Sequence, residues 1–207
     1  MKIYFVRHGQ SQANLEQREQ GALGALSELG REQADFVGKR FSDLPVDLIV
    51  CSPFERAKET AEIINSHLNK EMVFSDLLME RRPPTAFIGI RTDDPEYEKA
   101  KVLMREGMER DPAWRYSDED TFTDLKKRAI QGLEYLSGLG KEHVLAVTHG
   151  GFLRMLVAVM VMGEELTYPE YRKFFFSFKT HNTGISVVEQ SDDGRWSVIA
   201  WNDHAHL

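Results

Sequence analysis

The sequence predicts an α/β fold, a three-layer αβα sandwich whose sheet is mostly parallel and finishes in an antiparallel edge. Short β-rich runs alternate with helical patterns along most of the 207 residues, the order expected of a parallel sheet covered on both faces. The early runs are apolar throughout, as strands buried on both sides are. Two late runs flank Asp192-Asp193-Gly194, a hairpin turn that supplies the antiparallel strands.

Residues 2–6 form the first strand and stop abruptly at Arg7-His8-Gly9. Ser27 gives an N-cap to a helix in which Ala34, Phe36, Val37 and Phe41 recur at helical spacing. The second strand, Leu48–Cys51, runs into Ser52-Pro53. The helix Glu55–Leu68 follows, with Ala57, Ala61, Ile64 and Leu68 on one face. A short strand is expected at Met72–Phe74. Residues 81–120 then hold four of the seven prolines, many charges and one amphipathic helix near 96–108. That stretch reads as a lid-like insertion in a single domain spanning 1–207. A helix near 123–139, a strand at 144–147, a helix at 152–162 and strands at 185–189 and 196–201 complete the order.

Hydrophobic residues at 42% and charged residues at 29% supply a core and a solvated surface, which excludes a disordered or low-complexity chain. A net charge of -7 argues against a nucleic-acid partner, which needs a basic face. The single cysteine, Cys51, excludes an internal disulfide and a multi-cysteine zinc site, and its apolar neighbours make it a core thiol. The most apolar segment, 152–162, carries Arg154 and falls short of the roughly 20 residues that span a bilayer. A cytoplasmic protein with no membrane partner is therefore expected.

In such sheets ligands gather beyond the carboxyl ends of the strands. Here those ends carry Arg7-His8, the stretch from Ser52 to Arg56, and Thr148-His149. Two histidines and two arginines suit phosphoryl chemistry, because a guanidinium fork matches phosphate oxygens and stays charged. Gly9, Gly150 and Gly151 let backbone N–H groups approach an anion, and the helix after Gly150-Gly151 favours negative charge at its start. Histidine can act as a neutral nucleophile near pH 7.

Arg7-His8-Gly9-Gln10 with Asn14 resembles the signature of the histidine phosphatase superfamily, the phosphoglycerate-mutase-like proteins. Gln20-Gly21 with residues 26–34, residues 52–61, Val147-Thr148-His149-Gly150-Gly151, and Asn182-Thr183 with residues 201–207 are similar to its later motifs, in the same order. Residues 20–26 lack the Asp and Pro common in that family's loop. Pro83-Pro84-Thr85 stands where some members have Trp-Glu-Gly, which weighs against a mutase.

The resemblance implies a phosphoglycerate-mutase-like fold. It also implies metal-independent, cofactor-free hydrolysis of a small phosphorylated metabolite through a phosphohistidine. It makes His8 the nucleophile and Arg7, Arg56 and His149 the ring around the phosphoryl oxygens. Glu80 becomes the general acid and base, with Asp120 and Glu119 as competitors. Asn14, Gln20, Gly21 and Gly150 become substrate contacts. A phosphoglycerate-type mutase and a non-catalytic phospho-ligand binder are the alternatives.

His181, His204 and His206 are accompanied by no Asp/Glu cluster of ligand spacing, so no metal site is expected from them. His67 and His143 receive no role. The run Phe174-Phe175-Phe176-Ser177-Phe178 is expected in the core or at a homodimer contact, and Arg81, Arg82, Arg91, Lys99 and Lys101 are expected to be solvated charges.

Overall fold

The computed structural model describes residues 1–206; Leu207, the last residue of the C-terminal pattern, lies outside the described residues. Six strands form one sheet in the order β3-β2-β4-β1-β5-β6. They are β1 (Lys2–Arg7), β2 (Leu48–Cys51), β3 (Met72–Phe74), β4 (His143–Thr148), β5 (Ile185–Gln190) and β6 (Trp196–Asp203). The pairs β1–β4, β2–β4 and β2–β3 are parallel, whereas β5 adds antiparallel to β1 and β6 antiparallel to β5. The turn between β5 and β6 contains Gly194 at φ 82°, a conformation that favours glycine.

Side-chain alternation along the strands divides the core in two. Tyr4, Val6, Ile49, Cys51, Leu145 and Val147 pack with residues of α2 (Glu28–Phe41) and α3 (Glu55–Leu68). Ile3, Phe5, Val50, Val144 and Ala146 pack instead with α4 (Pro95–Arg110), α5 (Phe122–Ser137), α6 (Gly150–Met162) and α7 (Tyr168–Ser177). Cys51 is fully buried in the first of these layers. No described helix is long and apolar enough to cross a membrane.

Three elements depart from the expected pattern. Phe36 is not part of the buried face of α2; it is 49% exposed, and Lys39 sits over its ring. The insertion is not a loose cover, because Tyr97, Ala100, Met104 and Met108 of α4 belong to the main core. Its preceding loop is stitched to residues 17–19 by Glu19 N–H to Ile90 O at 2.9 Å, Gly89 N–H to Glu19 O at 2.9 Å and Thr92 N–H to Gln17 O at 2.8 Å. Finally, α7 and the four-residue α1 (Gln12–Leu15) were not anticipated. Their local signals are the reciprocal capping boxes Thr167/Glu170 and Ser11/Asn14.

The register brings the active ends of the strands together. Arg7 pairs with Thr148 and Cys51 with Val147. His8 N–H continues to Thr148 O at 2.9 Å and Ser52 N–H to Val147 O at 3.0 Å. The first turn of α2 closes on this end: a Cβ on Gly30 would lie 2.0 Å from Gln10 O, and one on Gly9 would lie 2.4 Å from Gly30 O. Gly132, in the middle of α5, has its nearest such neighbour at 3.4 Å, an ordinary contact.

The same substitution should therefore have opposite signs at two helical glycines. Gly30→Ala is expected to destabilise by about 1–3 kcal/mol through overpacking against backbone. Gly132→Ala is expected to stabilise by up to about 1 kcal/mol through helix propensity. Urea midpoints of the two variants against the parent protein check both expectations.

Candidate active site

His8 leaves β1 into a backbone that is held at every turn. Its carbonyl accepts from Asn182 Nδ2 at 2.9 Å, and the next N–H, of Gly9, donates to Thr60 Oγ1 at 3.0 Å. The imidazole Nδ1 lies 2.7 Å from Gly9 O. A carbonyl can only accept, so Nδ1 carries the proton and Nε2 keeps its lone pair. Arg56 Nε donates to that Nε2 at 3.2 Å, in agreement with this tautomer. His8 is buried, and its Nε2 is the atom presented to the guanidinium of Arg56.

Arg56 comes from the first turn of α3, just beyond β2. Its Nη1 donates to Gly21 O at 2.8 Å. Gly21 thus positions an arginine through its carbonyl and is not among the residues that line the cleft. Arg7 donates from Nη1 to Thr180 O at 2.7 Å, and its buried Nε has no hydrogen-bond partner among the described residues. A Cβ on Gly150 would lie 3.1 Å from that Nε, so the glycine makes room for Arg7.

His149 follows β4, with its ring centroid 5.1 Å from that of His8. Its Nε2 meets Ser52 Oγ at 2.8 Å, while its buried Nδ1 has no partner among the described residues. Burial first, then the charges of Arg56 and Arg7, hold the His8 imidazole well below its ordinary pKa. The same burial and Arg56, with His8, Arg7 and Arg128, act on His149. Both rings are neutral at pH 7. Burial also lowers Arg7 to about 10, with Glu80 opposing and Arg154 and Arg56 adding to the effect, so its guanidinium remains a cation.

Glu80 reaches the same cleft from the segment after β3. Its carboxyl group accepts from Gly151 N–H at 2.9 Å, Phe152 N–H at 2.8 Å and Arg81 N–H at 2.9 Å. It therefore caps the start of α6, and a Cβ on Gly151 would lie 2.6 Å from its Oε1. The competing acids are engaged elsewhere. Glu119 accepts from Tyr116 and Ser117 N–H, and Asp120 borders the cleft with both oxygens held by Arg82 and Arg128.

The cleft has a volume of about 670 Å³ and is lined by Arg7, His8, Asn14, Gln20, Arg56, Glu80 and Gly150, among others. Asn14 Oδ1 accepts from Ser11 N–H at 3.3 Å, and Gln20 Oε1 accepts from Ser11 Oγ at 2.8 Å, so one serine orients both. Of the five insertion cations, Arg82, Arg91 and Lys99 are ion-paired at the surface. Arg81 and Lys101 line the cleft, Lys101 also pairing with Glu98 at 2.7 Å. Arg154, first noticed only as a charge in an apolar helix, also lines it and lies 3.9 Å over the Phe175 ring. The signal was available: Arg154 is four residues after Gly150 on one helix, hence on the same face. The aromatic run divides, with Phe174 in the core and Phe175 and Phe176 on the cleft wall.

Among the described residues, no carboxylate lies within ion-pairing distance of Arg7, Arg56, Arg81 or Arg154. Four guanidinium groups thus share one cleft without a carboxylate ion-pair partner among the described residues, which is an environment for an anion. The described residues hold no group of three or more His, Cys, Asp or Glu side chains arranged for a metal ion. His181 and His204 stack at 4.1 Å about Asn202, whose Nδ2 lies 2.7 Å from His181 Nδ1.

The chain is 30% identical over 208 residues to an uncharacterized phosphatase, PhoE, of Bacillus subtilis, covering 99% of this chain and 96% of the relative. It is 28% identical to phosphoglycerate mutase-like protein 4 of Arabidopsis thaliana, covering 100% and 86%. The structure of YhfR from Bacillus stearothermophilus superposes with a TM-score of 0.83 at 23% identity, over 99% of this chain and 98% of that one. The family model of the histidine phosphatase superfamily (branch 1) matches residues 3–204, and the chain belongs to that superfamily.

Proposed function

We propose that this histidine phosphatase is a metal-independent phosphomonoesterase acting on a small phosphorylated metabolite through a phosphohistidine. The observation that carries the reading is the unprotonated Nε2 of a neutral His8, touched by Arg56 and set among Arg7 and His149, with Glu80 in the same cleft. In the first step Nε2 attacks phosphorus in line, and the bond from phosphorus to the alcohol oxygen breaks. Glu80 gives its proton to that oxygen, since an alkoxide is a poor leaving group. In the second step Glu80 takes a proton from water as the water attacks phosphorus. The N–P bond breaks, and phosphate and His8 Nε2 are regenerated.

Arg7 and Arg56 offset the charge spread over the phosphoryl oxygens, which is the main task in this chemistry. The Nδ1 of His149 is a buried orphan, and a phosphoryl oxygen would satisfy it if Ser52 donates to Nε2. The depressed histidine pKa values serve the first step, because a protonated His8 has no lone pair to attack with.

His8→Ala is expected to abolish turnover and acid-labile labelling by a phosphorylated substrate, while a chelator changes neither in the parent protein. Steady-state assay and denaturing gels of labelled enzyme check this; full activity in the variant would overturn the scheme. The histidines also set a stability profile. The unfolded chain binds their protons as pH falls below about 6.5, whereas the native state does not until its lower pKa values are reached. Stability is therefore expected to fall with decreasing pH below that point, by about 1.4 kcal/mol per unit for each buried histidine. Urea denaturation of the parent and His149→Ala proteins between about pH 6.5 and 5 should show the shallower slope in the variant.

A further inference from the structure

The segment that carries Glu80 belongs to neither a helix nor a strand, so its backbone groups need partners from elsewhere. Side chains supply several of them. Thr148 Oγ1 donates to Leu78 O at 2.7 Å. Arg128 Nη2 bridges Met79 O at 3.2 Å and Glu80 O at 3.1 Å. Asp120 Oδ2 accepts from Arg82 N–H at 3.0 Å, and Asp120 N–H donates to Arg82 O at 3.0 Å. Arg128 Nη1 and Asp120 Oδ2 close the circuit at 3.0 Å, and the Arg82 side chain takes the other carboxylate oxygen at 2.7 Å.

The two central members are secluded. The Asp120 side chain is 1% exposed and that of Arg128 14% exposed, with the guanidinium 4.8 Å over the Phe152 ring. Phe152 is also the residue whose N–H holds the Glu80 carboxyl group. One ion pair therefore grips the Glu80 backbone from behind while the ring beneath it belongs to the helix turn that receives the Glu80 side chain.

We infer that Arg128 and Asp120 are positioning residues for the general acid: their ion pair fixes the 79–82 backbone so that the Glu80 carboxyl group is aimed at the leaving oxygen. The inference rests on the catalytic reading of Glu80 given above. Neither residue touches the substrate in this scheme, so losing the pair should impair proton delivery and leave phosphoryl binding to Arg7, Arg56 and His149 intact.

The test compares kcat/KM for an alkyl substrate, glycerol 2-phosphate, with that for p-nitrophenyl phosphate, whose phenolate departs without a proton. This ratio reports the first step alone, because formation of the phosphohistidine with loss of the leaving group is the first irreversible event. General acid assistance is typically worth about 10²–10⁴-fold. Arg128→Met and the shape-conserving Asp120→Asn are each expected to lower the alkyl value at least about tenfold more than the aryl value, with Arg128→Lys recovering part of the loss. The limb of the pH–rate profile that requires a protonated acid should weaken in parallel. In a Glu80→Gln background, neither substitution should add a further alkyl-selective loss. Equal losses on both substrates, or none, in Arg128→Met and Asp120→Asn would overturn the inference while an alkyl-selective Glu80→Gln leaves the acid assignment standing. An unselective Glu80→Gln would overturn both.

Discussion

Concentrated positive charge without a partner is costly to bury, and this cleft holds four such guanidinium groups. The rest of the structure can be understood as what keeps them there. Arg7 is anchored by the carbonyl of Thr180 and Arg56 by that of Gly21, so each cation is fixed through neutral dipoles that leave its charge available. Arg154 lies on an aromatic face and donates to Gly150 O and Phe175 O, again without a carboxylate. Had these arginines been paired with acids, they would be ordinary structural residues. A molecule of net charge -7 thus keeps a cationic recess at the carboxyl end of its sheet, with the Glu80 carboxyl group inside it.

The same field governs the chemistry. Burial first, and that field second, depress both histidines toward the neutral form, which leaves His8 Nε2 a lone pair, and the field favours an anion beside it. The carboxyl group of Glu80 sits within that field but takes its hydrogen bonds from backbone N–H groups, not from the arginines. The division of labour follows from partner type: fixed cations for the phosphoryl group, amide dipoles for the acid.

Much of this was legible in the sequence because it lies in contiguous motifs at strand ends. Arg7-His8, Arg56 and His149 each follow an apolar run that could only be a buried strand, and parallel register brings those ends together. Glu80 was placed by resemblance alone, and only the structure shows the competing Asp120 held by four donors from Arg82 and Arg128. What could not be read were contacts made across large separations by residues of unremarkable local pattern. Lys101 and the Phe175–Phe176 wall border the cleft from α4 and α7, Arg81 enters it from the segment after β3, and α7 gave no strong apolar periodicity. Arg82 and Arg81 are adjacent in sequence yet have opposite fates, one ion-paired at the surface and one in the cleft, a distinction that composition cannot carry.

His8, the residue proposed as nucleophile, stands at the end of the first strand, yet the carbonyl that anchors its neighbour and the amide that holds its own backbone come from positions 180 and 182. During synthesis the amino-terminal strand emerges long before the segment that completes its surroundings. Contacts of such separation carry the loop-closure entropy of nearly the whole chain. The surroundings of the His8 imidazole are therefore incomplete until residues 180 and 182 are in place.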